Sequence, residues 1–267
     1  MKINIFFTLR GKLDNKIKTI LEFSGFIFLL FIWWYLAKYI YTDAILPTPY
    51  QVLSSYKEMY LSTKDALIDN ILYSLKLNFL GYFEAICIAI PIGFIIGLFP
   101  IFKTMFNRHI DAIRFLPLTA ITGLFIAWFG IELNMKVQFL AFGIFVYLLP
   151  VVIQRIYEVQ EVYVQTLYTL GANKWNIIRR VFIPAVISKL SDDIRVLVAI
   201  SWTYIIVAEL VNKSGGIGAL IFTTARQSRL DKVFAILFLI IMIGVIQDKI
   251  FIFLDKKIFK HKYAVTI

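Results

Sequence analysis

Cysteine, histidine and acidic residues are scarce in this chain: one Cys and two His, and 17 Asp plus Glu against 28 Lys plus Arg. A single thiol, Cys87, excludes an intrachain disulfide, and its position inside an apolar run makes it a small packing residue. The histidines, His109 and His261, stand beside Lys and Arg as solvated surface residues. No HExxH or comparable ligand spacing occurs, so neither a metal site nor the convergent acid–base groups of an intramembrane enzyme are expected. Ser214-Gly215-Gly216-Ile217-Gly218 invites a phosphate-cradle reading but lacks the Lys-Ser or Lys-Thr ending of a P-loop. It reads instead as a tight external or re-entrant turn, and no cofactor is expected. Charged residues make up only 17% of the chain and hydrophobic residues 60%, more apolar surface than one soluble core needs.

What is present in abundance is long apolar segments. Six membrane spans are expected, at about 20–41, 76–100, 110–130, 135–154, 185–211 and 233–254, each long enough for a helix to cross the hydrocarbon. The net charge of +11 does not point to nucleic acid, because Lys and Arg cluster beside the apolar runs. With both termini inside, the cytoplasmic segments hold 19 of the 28 basic residues, as the positive-inside rule requires. The fold expected is all-α: a basic cytoplasmic lead (1–19), a single transmembrane domain (20–254) and a basic cytoplasmic tail (255–267), N-in and C-in. The first apolar run has no convincing cleavage site and reads as a retained helix rather than a signal peptide. Leu46-Pro47-Thr48-Pro49 interrupts helix, and residues 50–75 read as interfacial helices forming a packed connector.

Polar groups inside the spans are the candidates for function. Glu84 lies in the second span, beside Pro91 and the close-packing pair Gly93 and Gly97. The fifth span carries Asp192, Asp193, Arg195 and Glu209. Arg195, Trp202 and Glu209, spaced by seven, fall on one stripe about 21 Å tall, able to line an interior path. Asp192 and Arg195, at i and i+3, are expected to pair. A purely structural bundle network fits the same residues.

The longest polar interruption of the second half is Tyr157–Pro184. Val164, Leu167 and Leu170 run at helical spacing into Gly171; Trp175, Ile178 and Phe182 follow Asn173 and stop at Pro184. Two short helices meeting at a bend are expected, with Gly171 closing the first and Asn173 capping the second. This segment resembles the cytoplasmic signature loop of ABC importer permeases. Gly171 matches its glycine, Val181-Phe182-Ile183-Pro184 matches its Ile-x-Leu-Pro ending nine residues on, and Gln165-Thr166-Leu167 stands where the family has Glu-Ala-Ala. Leu46-Pro47-Thr48-Pro49, the stretch from Arg114 and Pro117 to Trp128-Phe129-Gly130, and Arg195, Trp202 and Glu209 are similar to the branch serving nitrate, sulfonate, taurine and bicarbonate importers.

The resemblance implies a type I importer permease in a bacterial cytoplasmic (inner) membrane, multi-pass and without enzymatic activity of its own. Its implied partners are two copies of a cytoplasmic ATP-binding subunit, a second copy of itself and an extracytoplasmic solute-binding protein. Gln165, Leu167, Leu170, Gly171, Ala172, Trp175 and Pro184 would couple to the ATPase. Glu84, Arg195, Trp202 and Glu209 would line the translocation path. The alternative is a stand-alone ion-coupled secondary transporter or channel using Glu84, Asp192, Asp193 and Glu209 as coupling sites; it leaves the bent loop unexplained.

Overall fold

The structure is a computed structural model that describes residues 11, 13–41, 45–62 and 66–263. The basic lead's Lys2, Arg10 and Lys12 and the last four residues lie outside the described residues. Regular structure among the described residues is entirely helical. Five helices are long and apolar enough to cross a membrane, and a bent pair brings the number to six.

Helix α1 (Asn15–Tyr35), prolonged by a π turn (Leu36–Ile40), buries almost nothing against the rest of the described protomer. The Trp33 indole N–H, donated to the Pro47 carbonyl at 3.1 Å, and its ring contact with Phe234 and Phe238 hold it. Thr48 then opens α2 (Pro49–Leu61) with a capping box, its hydroxyl accepting from the Gln51 N–H while Gln51 reaches back. This satisfies donors that the first turn cannot pair internally. At the far end of α2, Glu58 meets Arg229 at 2.9 Å and Lys232 at 3.0 Å, and Ser55 donates to Asp231 at 2.7 Å.

The core is α3 (Leu67–Leu98) against α6 (Leu133–Tyr157). Three glycines of α3 sit where a methyl group would overlap α6: Gly81 on Leu140, Gly93 on Val152, Gly97 on Ile156. The rising order of these partners makes the two helices parallel. Residues 99–132 must therefore carry the chain back across the membrane between them. They do so as a broken crossing: α4 (Pro100–Ile113), a bend of 93°, a 3-10 turn (Leu118–Ile121) and α5 (Thr122–Phe129).

This corrects the expected third span, which was to be one helix over about 110–130 that absorbed Pro117. Pro117 lacks an N–H and disfavours helical geometry at Leu116. Here the chain yields to it, with the Pro117 carbonyl starting the 3-10 turn by accepting from Ala120 at 2.9 Å. Pro91 and Pro150 behave otherwise and stay inside α3 and α6, where packed neighbours hold the helix together.

Beyond α6 come α7 (Glu161–Thr169) and α8 (Lys174–Ile177), then a π turn (Ile178–Phe182) leading into α9 (Ile183–Asn212). Pro184 does not stop the second short helix, as the pattern suggested: Lys174–Asn212 is one 39-residue helical run. The π turn, closed by the Ile183 N–H on the Ile178 carbonyl, ends just ahead of Pro184, and its wider winding accommodates a residue that has no N–H to donate. Helix α9 runs antiparallel to α3, with Glu209 beside Ser74, Ser201 beside Asn78, and Ile194 beside Tyr82. The glycine-rich turn is followed by a helix the sequence reading did not contain, α10 (Ile217–Arg226), and then α11 (Leu230–Ile258) and α12 (Lys260–Tyr263).

Candidate coupling loop and translocation path

Three constellations stand out: an exposed elbow at one end of the bundle, the polar residues of α9, and a cavity bounded by α3, α5 and α6.

The elbow is made by local capping. Leu170 ends α7; the Gly171 N–H bonds the Tyr168 carbonyl and the Ala172 N–H the Leu167 carbonyl, both at 3.0 Å. This doubly bonded C-terminal cap needs a left-handed residue, and Gly171 supplies it with φ +76°. Asn173 opens α8 by accepting the Asn176 N–H at 2.8 Å. At the tip, Leu170 and Trp175 are 75% and 64% exposed, with Tyr168 exposed beside them. Gln165 is exposed too, Leu167 and Ala172 are half-buried, and Pro184 lies beyond the elbow at the start of α9.

Ion pairs brace the base of the elbow. Arg155 grips Asp193 of α9 bidentately at 2.7 Å and Glu158 at 2.7 Å, and Lys189 adds a contact to Glu158 at 3.2 Å. The Arg155 guanidinium, with Lys189 beside it, holds the Glu158 carboxyl below its ordinary range. Lys103 of α4 lies over the Tyr157 ring, 3.5 Å from its centroid. The elbow is thus tied to α4, α6 and α9 rather than hanging as a free loop.

The α9 stripe faces neighbouring helices. Arg195 pairs with Asp248 of α11 at 2.9 Å, and Asp192 pairs with Lys262 at 2.7 Å. The expected Asp192–Arg195 pair does not form, because α11 and α12 present opposite charges to each of them. Trp202, buried, donates its indole N–H to Gln247 of α11 at 2.9 Å.

Glu209 is fully buried, and its carboxylate seats the glycine-rich turn. It accepts from the Ser74 hydroxyl at 2.5 Å and from the Gly218 N–H at 2.7 Å. Ser74 in turn accepts the Ile217 N–H at 2.9 Å, and Asn70 the Gly216 N–H at 2.7 Å. Three N–H groups at the start of α10 thereby gain side-chain acceptors, and an acidic group at a helix N-terminus complements its dipole. Gly216, at φ +101°, leaves no room for a side chain, since a Cβ there would overlap the Glu209 carboxylate. Lys136 of α6, also fully buried, completes the seat by donating to Ser214 at 3.0 Å. Asn70, Ser74 and Lys136 escaped the sequence reading; a lysine four residues into an apolar run was the signal for the last.

Of the predicted path residues, Glu84 lines a cavity. The space, about 420 Å³, is walled by Leu116, Phe125, Trp128, Phe129, Phe142 and Phe145, with Glu84 and Gln138 as its polar side chains. The Gln138 amide donates to Glu84 at 3.0 Å. The space lies between the broken third crossing and the pair α3 and α6.

The comparisons with known proteins agree with this architecture. Residues 89–260 match the family described as binding-protein-dependent transport system inner membrane component. A putative ABC transporter permease of Methanocaldococcus jannaschii is 31% identical over 232 residues, 85% of this chain and 86% of that protein. A putative aliphatic sulfonates transport permease of Bacillus subtilis is 28% identical, over 82% of this chain and 78% of its own. The taurine transport system permease of Escherichia coli is 26% identical, over 78% and 77%. The fold is shared with a crystal structure of an amino acid ABC transporter with histidines, at a TM-score of 0.57 and 17% identity over 77% of this chain and 97% of that one.

A bundle of apolar crossings with a braced elbow at one end is thus the membrane subunit of an ABC importer, a permease. The chain belongs to the family of binding-protein-dependent transport system inner membrane components and is a multi-pass inner-membrane protein. Its relatives are transport permeases, and membership of this family implies ATPase and binding-protein partners in general.

Proposed function

We propose that two copies of this chain form the translocation path of an importer for a small organic solute, with sulfonates such as taurine the leading class. The solute class is suggested by the sulfonate and taurine permeases among the relatives. In this reading both termini and the elbow face the cytoplasm, and the loop at 157–184 receives one of two ATPase subunits. A binding protein delivers solute at the opposite side.

The observation that carries the proposal is the elbow's exposed tip: Leu170 and Trp175 present apolar surface at the end of a bundle where nothing in the protomer covers them. An exposed apolar patch on a braced support is a protein-docking surface. Gln165, Leu167, Gly171 and Ala172 shape that surface, and Pro184 marks where it joins α9. Closure of two ATPases would draw two elbows together and move the bundles as rigid bodies between inward-open and outward-open states. The bonds from Arg155 to Asp193 and Glu158 would carry that motion into α9. On the path itself, Glu84 faces the solute, while Arg195, Trp202 and Glu209 form a polar spine that keeps α9 rigid behind the wall.

The test is co-purification with the cognate ATPase and solute uptake in proteoliposomes. Leu170→Glu and Trp175→Glu should each abolish ATPase capture and ATP-dependent uptake while the permease still inserts. Capture unaffected by both substitutions refutes the docking assignment. Uptake that persists without ATPase and ATP would instead support a stand-alone ion-coupled carrier.

A further inference from the structure

The cavity beside Glu84 has a chemistry that a sulfonate group alone does not account for. Glu84 stands close to the middle of the 32-residue α3, about 21 Å from Leu98, and so well inside a hydrocarbon layer about 30 Å thick. A half-buried carboxylate at that depth is too costly to leave against lipid, so this face of the bundle looks onto water or protein. The Glu84–Gln138 pair also borders a second opening of about 550 Å³, which reaches Leu133 and Asn134 at the start of α6. It therefore stands where two adjoining spaces meet, one leading toward the end of α6 opposite the elbow.

The polar equipment of this junction is mostly acceptor. Gln138 spends one amide N–H on Glu84, which leaves its carbonyl oxygen and the other Glu84 oxygen as acceptors beside its second N–H. No lysine, arginine or histidine among the described residues forms an ion pair with Glu84. The remaining wall is aromatic and aliphatic, with Trp128 66% exposed at its edge. Carboxylate and amide acceptors in a cavity walled by Phe and Trp rings attract a cation carrying N–H donors. The same arrangement repels an anion.

We infer that the Glu84–Gln138 junction is a binding station for a protonated amine, so that the transported solute carries an ammonium group on a small organic body. The inference rests on the permease reading above and deepens it: a simple inorganic anion or an unsubstituted sulfonate is disfavoured at this station, whereas a zwitterion bearing both an acidic group and an ammonium fits. Gln138 is the positioning residue, since its amide fixes the orientation of the carboxylate.

The test uses the full-length chain in nanodiscs without any ATPase, so that its outcome is independent of the docking test. Tryptophan fluorescence, to which Trp128 contributes, is titrated with three ring-matched probes: benzylammonium, benzyl alcohol and benzoate. Benzylammonium should bind saturably and about tenfold or more tightly than the other two, the range of a charge-assisted hydrogen bond. Glu84→Gln should remove that preference while leaving weak binding of all three. Gln138→Leu should reduce it while the Glu84 charge remains, and Trp128→Phe should remove most of the signal change. Equal responses to the three probes, which indicate partition into lipid only, overturn the inference. So does benzoate binding as tightly as benzylammonium, or a preference that survives Glu84→Gln.

Discussion

Replacing Gly171 separates the geometry of the elbow from its chemistry. The residue sits at φ +76° with no atom within 4 Å of where a Cβ would be, so a side chain there costs backbone energy alone. Left-handed geometry costs an L-residue about 1–2 kcal/mol, with Asn the least penalised. If ATPase docking requires the bent form, each 1.4 kcal/mol weakens association about tenfold. Gly171→Ala should therefore raise the Kd about fivefold to thirtyfold. Gly171→Val should do more, because β-branching is worst tolerated at positive φ. Gly171→Asn should stay close to the parent. The assay is titration of nanodisc-embedded permease with fluorescent ATPase, beside a thermal melt that should not change across the series. The reasoning fails if Val binds as tightly as Gly, or if Asn is as damaging as Val.

Three other perturbations probe the supports. Glu209→Leu leaves the Ser74 hydroxyl and the Gly218 N–H without their buried acceptor. It should destabilise the bundle by about 3 kcal/mol, read as a lower unfolding temperature, with Glu209→Gln milder; an unchanged melt would contradict the seat described for α10. Gly93→Ala brings a methyl group to 2.5 Å from Val152. It should cost about 1–3 kcal/mol, largely recovered by adding Val152→Ala; strict additivity of the two changes would argue against the contact. Glu58 is held at about 2 by hydrogen bonds from Arg229 and then Lys232. A carboxyl lowered from 4.5 in the folded state stabilises fully above that value and loses its contribution as pH falls from 4.5 toward 2. Hydrogen exchange of residues 49–61 should therefore quicken selectively in that window, after correction for intrinsic rates, and Glu58→Gln should flatten the effect. A parent and variant with the same pH profile would refute the clamp between α2 and α11.

Hydropathy and capping made much of the architecture legible beforehand. The apolar runs placed five spans over α1, α3, α6, α9 and α11, although α3 begins at Leu67, nine residues ahead of the expected start and inside the stretch read as a connector. Gly171 and Asn173 announced the elbow because both act on backbone groups two or three residues away. Their bonds to Tyr168, Asn176 and neighbours would form in any context that let α7 and α8 exist. The Gly93 and Gly97 spacing similarly announced a close approach, though not that α6 would make it. Pro117 is plain in the sequence but its effect is not, since whether a proline bends or breaks a crossing depends on what packs around it.

The amino-acid order alone thus determined where the long apolar helices fall and where the exposed elbow folds. Length, charge and capping are local properties. Only the tertiary structure decided that Glu209 seats α10 across 135 residues of sequence to Ser74, that Arg195 answers to Asp248, and that the broken third crossing leaves a cavity against Glu84. A carboxylate in an apolar run must find some partner or water; its identity follows from which helices are adjacent, and adjacency is settled by packing between distant segments.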